Sequence, residues 1–199
     1  MTSGDDPTLI VLHGHDSDSK HGDALARDLD PDGDWRHVAP DGPVETSDGN
    51  RAWFAVDRPG SLRRAGEEVA AVISSFREAG AGPLVVVGYS QGAAAALCAL
   101  MSADAPKADA LVVISGFVAD EDGVTYDVAR LLGTPVLVQH GTDDEVVPEF
   151  FATDLASMLQ GGGVDVTLQR FAAGHSTTGD TLAAARLWLD GLSVSQPRR

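Results

Sequence analysis

The chain has 199 residues, of which 43% are hydrophobic and 22% charged, the balance of a single globular domain with a full apolar core. With 30 acidic and 14 basic side chains its formal net charge is −16, a surface that repels nucleic acid and anionic lipid headgroups. The longest apolar run, Ala93 to Met101, is far shorter than the roughly 20 residues of a membrane span, and the lone Cys98 excludes an internal disulfide or a thiolate metal cluster.

Met1 to Pro7 carries no basic head followed by an apolar stretch, so residues 1–7 read as a tail and the expected location is cytoplasmic. Leu9 to Leu12 is a short apolar run without polar alternation, the signature of a strand covered on both faces. Trp35 to Ala39 is a weaker strand. From Ser61 to Ala79, Leu62, Ala65, Val69, Ile73 and Phe76 share one helical face, with Ser61 placed to cap the start and Gly80 the end. Leu84 to Val87, Leu111 to Ile114 and Val136 to Val138 repeat the buried-strand signature, and Ala93 to Met101 is helix-prone. A helix is expected from Pro148 to Gly161, with Phe151, Leu155, Met158 and Leu159 on one side. Val164, Val166 and Leu168 alternate with polar residues like a strand near a sheet edge, and a last helix spans about Thr178 to Leu192. Residues 193–199 read as a second tail. Strand and helix alternate throughout, which predicts a single doubly wound α/β domain over 1–199 with a mostly parallel sheet of about six strands.

Gly88-Tyr89-Ser90-Gln91-Gly92 matches Gly-x-Ser-x-Gly, a pattern this composition produces by chance about 0.17 times. Its setting is more informative. It joins an apolar strand directly to a helix-prone run, the strand, tight turn and helix of a nucleophile elbow. Flanking glycines let the chain turn sharply and leave the serine hydroxyl exposed. A serine hydroxyl needs a base to take its proton during attack, and histidine is the usual one. In α/β-hydrolases the order is serine, acid, histidine. Only His140 and His175 follow Ser90, and only His175 also follows a candidate acid at a strand end. His140 is expected to brace its loop. The acid lies in His140-Gly141-Thr142-Asp143-Asp144-Glu145-Val146-Val147-Pro148, where chemistry alone leaves Asp143, Asp144 and Glu145 open. The oxyanion needs two N–H groups, expected from Gln91, at a helix N-terminus, and from His15 in the loop after the first strand.

Together these segments resemble the phospholipase/carboxylesterase family of α/β-hydrolases, which includes acyl-protein thioesterases and bacterial carboxylesterases. The similarity runs from Leu12-His13-Gly14 through Gly49-Asn50-Arg51-Ala52-Trp53-Phe54 and the serine motif to His140-Gly141-Thr142-Asp143-Asp144-Glu145-Val146-Val147-Pro148 and Gly174-His175. In the family pattern His-Gly-x-x-Asp-x-Val-Val-Pro the acid is the fifth position, which implies Asp144. Two positions depart from the family. Asp16 stands where glycine is usual, a place that favours positive φ, and Ala55 stands where aspartate is common.

The stretch between the strands at Leu111 and Val136 is too short for a lid domain, so an open site is expected. Trp53, Phe54, Phe117 and Val147 are the expected apolar walls for an acyl chain. The reading is therefore a cytoplasmic serine hydrolase for carboxylic esters of short to medium acyl chain, acting through Ser90, His175 and Asp144 and an acyl-enzyme. It needs no metal or cofactor. Its partners are a small-molecule or lipid-like ester, with no nucleic acid and no membrane span, and a homodimer is compatible with the sequence. Thioesters and lysophospholipids are alternatives on the same residues. Two rivals differ in class. His13, His15 and His21 cluster with Asp16, Asp18 and Asp23 as a metal hydrolase would, although His-x-His-x-Asp-His requires aspartate at Ser17. A binding module that keeps the fold without turnover is the other.

Overall fold

The computed structural model describes residues 6–46, 49–80 and 82–192. In chain order the elements are β1 (Thr8–Leu12), α1 (Ser19–Leu29), β2 (Arg36–Val38), β3 (Val44–Glu45), β4 (Arg51–Ala52), α2 (Ser61–Glu78) and β5 (Leu84–Tyr89). There follow α3 (Gln91–Leu100), β6 (Ala110–Ile114), a 3-10 turn (Val128–Leu131), β7 (Val136–Gly141), α4 (Phe150–Gly161), β8 (Val166–Phe171) and α5 (Gly179–Gly191). Six strands form one sheet in the order β2-β1-β5-β6-β7-β8, and every adjacent pair is parallel. β3 and β4 form a separate antiparallel pair.

The apolar runs are strands because both sheet faces are covered. Alternate residues point to opposite faces. Ile10, Leu12, Leu84, Val86, Leu111, Val113, Val136 and Val138 pack with α2, α3 and α4. Leu9, Val11, Val85, Val87, Val112 and Leu137 pack instead with Ala26 and Leu29 of α1 and Leu182, Ala185 and Leu189 of α5. β8 lies at the edge and is only half-buried, as its alternating sequence predicts. Cys98 is a buried part of the α2–α3 packing, and burial pushes its thiol up to about 11. Among the described residues no helix is long and apolar enough to cross a membrane.

Several local expectations change. Ser61 does not cap α2: its hydroxyl donates to the Ala55 carbonyl at 2.8 Å and receives the Ala55 N–H at 3.3 Å. The N-cap is Gly60, in the left-handed region at φ 81°. The open N–H groups of Leu62 and Arg63 donate instead to the Glu121 carboxylate, at 3.3 and 3.1 Å. α4 starts at Phe150, two residues after the expected Pro148. Helix α1 and the pair β3–β4 were not expected. Asp18 caps α1 by accepting from Lys20 and His21 N–H, both at 3.1 Å. Between β6 and β7 the chain forms only the 3-10 turn, with no lid domain. Of the expected tails, residues 1–5 and 193–199 lie outside the described residues, while the Pro7 carbonyl already accepts from Arg36 N–H at 2.8 Å.

Candidate active site

The site gathers at the C-terminal ends of the parallel strands, where open α/β sheets bind ligands. Ser90 follows β5 and holds φ 53°, a left-handed value that is uncommon outside glycine. Strain of this kind costs on the order of 1–3 kcal/mol and persists only where the surroundings enforce it. Here they do. Ser90 N–H donates to the Ile114 carbonyl at 2.9 Å, and α3 begins at the next residue. A Cβ on Gly88 would enter the Ala93 backbone, and one on Gly92 would enter the carbonyls of Leu12 and His13. Both glycines are therefore required by close approach.

His175 sits in the loop between β8 and α5. Its Nε2 lies 2.9 Å from Ser90 Oγ and its Nδ1 2.7 Å from Asp144 Oδ2. Because a carboxylate only accepts, Nδ1 carries the proton, and Nε2 is left free to receive one from the serine. The Asp144 side chain is wholly buried, whereas Asp143 and Glu145 are exposed. Burial alone would raise the Asp144 carboxyl. The N–H of Val147, the His175 ring and the N–H of Val146 outweigh it and hold the group below the ordinary carboxylate value. Those two amides reach Asp144 Oδ1 at 2.8 and 3.0 Å.

His140 braces this turn. Its Nε2 donates to the Val147 carbonyl at 2.7 Å and lies 3.4 Å from Asp144 Oδ2. Val147, expected as an acyl wall, is buried, with its N–H on Asp144 and its carbonyl on His140, so its backbone helps to position the Asp144 carboxylate.

The loop after β1 stands beside Ser90, since a Cβ on Gly14 would lie 3.6 Å from Ser90 Cβ. His13 is buried, with Nδ1 2.7 Å from the Gly14 carbonyl and Nε2 accepting Gly42 N–H at 2.9 Å. Burial lowers its pKa, and the neutral ring that these partners require ties the loop down. His15 is exposed in this turn. Asp16 has φ 53°, the conformation that glycine would supply, and its carboxylate accepts from Thr46 Oγ1 at 2.5 Å. The N–H of Gln91 opens α3, where no preceding turn offers an acceptor.

The Gln91 side chain has a role that sequence reasoning missed. Its Oε1 accepts Trp53 N–H and its Nε2 donates to the Phe54 carbonyl, both at 2.8 Å. Trp53, also expected as an acyl wall, is only 1% exposed, and its indole N–H donates to the His13 carbonyl at 2.8 Å, so it ties down the loop after β1 from within the core. Phe54 and Phe117 do line an open groove of about 550 Å³, together with Val56, Leu62, Val118 and Phe151. Ser90 and His175 are not part of its lining, but its walls are tied to residues near Ser90. Phe54 is held by Gln91, and a Cβ on Gly116, next to Phe117, would lie 2.6 Å from Ala93 Cβ. Asp57, Asp120, Glu121 and Asp122 also line the groove.

The histidines of the first loop do not converge. His13 is consumed by backbone partners and His21 bonds Asp18 at 3.0 Å. Among the described residues no group of three or more His, Cys, Asp or Glu side chains is arranged to hold a metal ion.

Among solved structures the chain is similar to a carboxylesterase from Mesorhizobium loti, with a TM-score of 0.80 at 23% identity over 96% of this chain and 90% of that one. A Bacillus cereus carboxylesterase matches with a TM-score of 0.77 at 22% identity, over 92% and 87% of the two chains. SOBER1 of Arabidopsis thaliana matches with a TM-score of 0.75 at 22% identity, over 92% and 97%. These likenesses are of fold, and that fold is the one expected from the motifs. No curated protein matches the chain. A family model described as serine hydrolase (FSH1) matches residues 16–177, well over half of the chain and including Ser90, Asp144 and His175. The chain is thus a hydrolase and belongs to the serine hydrolase (FSH1) family.

Proposed function

We propose that the protein hydrolyses carboxylic esters of short to medium acyl chain through a Ser90-His175-Asp144 triad and an acyl-enzyme. The observation that carries this reading is the continuous chain of hydrogen bonds from Asp144 Oδ2 through both ring nitrogens of His175 to Ser90 Oγ, at 2.7 and 2.9 Å. Ser90 Oγ attacks the ester carbonyl carbon while its proton passes to His175 Nε2. The carbonyl oxygen becomes an oxyanion, held by the N–H groups of Gln91 and His15. Each such donor is worth about 10² to 10³ in rate. Collapse breaks the bond to the leaving alkoxide, which takes the proton from the imidazolium, and the acyl group stays on Ser90. Water then gives a proton to Nε2 and attacks the acyl carbon. The second collapse returns the proton to Ser90 Oγ and frees the acid. Asp144 stays ionised throughout and stabilises the imidazolium.

The acyl chain occupies the groove of Phe54, Phe117, Val118 and Phe151. Four carboxylates around it oppose an anionic substrate, which favours neutral esters over lysophospholipids bearing phosphate. The test is a panel of p-nitrophenyl esters of graded chain length followed by neutral acyl thioesters. kcat/KM is expected to rise with chain length and then fall once the groove is full. Turnover of thioesters alone would overturn the ester assignment, and absence of any turnover would favour the non-catalytic rival.

A further inference from the structure

Tyr89, the last residue of β5, precedes the nucleophile, and its side chain takes no part in the mechanism above. Its phenol donates to the carbonyl oxygen of His175 at 2.9 Å, across 86 residues of sequence. Its ring lies beside the imidazole, with centroids 5.2 Å apart and planes inclined by 37°. We propose that Tyr89 is a positioning residue that keeps the His175 ring in line with Ser90 by holding the backbone of the histidine loop. The inference rests on the triad reading.

The rest of this loop is fastened on either side of His175. Before it, the Ala173 carbonyl accepts from Asp143 N–H at 3.0 Å. After it, Thr178 caps α5 through a reciprocal pair with Thr181. Ser176 N–H turns back to the Gly174 carbonyl at 2.9 Å, spanning His175 without touching it. Among the described residues, the phenol is the one hydrogen-bond partner of the His175 backbone.

The phenol is itself held in place. A Cβ on Gly14 would lie 3.0 Å from Tyr89 Cδ1, so the oxyanion loop borders the ring and leaves it little room to move away. Burial, and then the charge of Asp144, push the phenol up to about 12, so it keeps its proton and remains a donor near neutral pH. Alignment matters because His175 must exchange protons with Ser90 and then with the leaving group, and a displacement of about 1 Å can cost about 10² in rate.

Tyr89→Phe removes the donor and keeps the ring. Loss of one ordinary hydrogen bond corresponds to a factor of about 2 to 13, so kcat on the best p-nitrophenyl ester is expected to fall about tenfold. KM should change by less than about twofold, because Tyr89 does not line the groove. Labelling of Ser90 by a fluorophosphonate should slow by the same factor as kcat. A lowered urea midpoint with kcat and labelling unchanged would make the bond purely structural and overturn the proposal. A raised KM at constant kcat would also overturn it, since that would make Tyr89 a binding residue. Failure of the unaltered protein to be labelled at Ser90 is a separate outcome, one that overturns the triad reading and this inference with it.

Discussion

Asp30 and Asp144 each hold an imidazole at 2.7 Å, at opposite ends of the same sheet. Asp30 Oδ2 meets His37 Nε2 near the start of the strands, and Asp144 Oδ2 meets His175 Nδ1 beyond their ends. Both carboxylates also accept two backbone N–H groups: Asp34 and Trp35 for the first, Val146 and Val147 for the second. The pairs differ in what lies past the ring. His37 belongs to β2, where it is in register with Leu9, and no hydroxyl bonds its other nitrogen among the described residues. His175 hangs from a loop over a serine that the elbow has lifted out of the strand. An aspartate–histidine pair is thus a structural joint wherever the fold needs one. It becomes chemistry only where a third group is delivered to the free nitrogen.

The sharpest way to break this contrast is Ser90→Ala, which leaves both pairs intact and is expected to lower kcat by about 10⁶ with an unchanged circular dichroism spectrum. Retained esterase activity would show that the third group is elsewhere. Asp144→Asn comes next, with a loss of about 10⁴ in kcat, because an amide no longer fixes the imidazole tautomer. Acid titration sharpens the same point. The Asp144 carboxyl is held below its ordinary value of 3.8, so the folded state loses stability to protonation as pH falls through the lowered value. Above the ordinary value that contribution is fully present. In urea unfolding, the stability of the unaltered protein relative to Asp144→Asn should therefore decrease as pH falls below 3.8. A relative stability that increased on acidification would have the wrong sign. Asp30→Asn is the mirror test: about 1–3 kcal/mol of stability lost from a buried, hydrogen-bonded site, with kcat within about twofold. The smallest effect is expected for Asp143→Asn, whose exposed side chain should leave kcat within about twofold of the parent.

What could be read in advance follows from how local each signal is. β1, β5, β6 and β7 show as apolar runs because helices cover both of their faces, and the turn at Ser90 shows because Gly88 and Gly92 leave no alternative to close packing. Helix α1 escapes notice because it buries only Gly22, Ala26 and Leu29. Strands β3 and β4 have two residues each, too few to make a period. The order of the sheet is set by pairing between distant segments, on which local patterns are silent. At the site, Asp143, Asp144 and Glu145 are chemically alike, and what sets Asp144 apart in the fold is its burial and its bond to His175. Trp53 and Val147 read as apolar walls, yet each is placed by its hydrogen bonds: the indole on His13 and the Val147 backbone on Asp144. The Tyr89 phenol and the Gln91 amide act on residues 86 and 38 positions away, beyond the reach of any motif.

The triad reading requires that His175 activate Ser90 to form a covalent acyl-enzyme. The most direct measurement is intact-protein and peptide mass spectrometry after brief exposure to a fluorophosphonate. One adduct on the peptide bearing Ser90 is predicted, absent from Ser90→Ala and formed far more slowly by His175→Ala. An adduct on another residue, or labelling at Ser90 that proceeds equally fast without the imidazole, would contradict it.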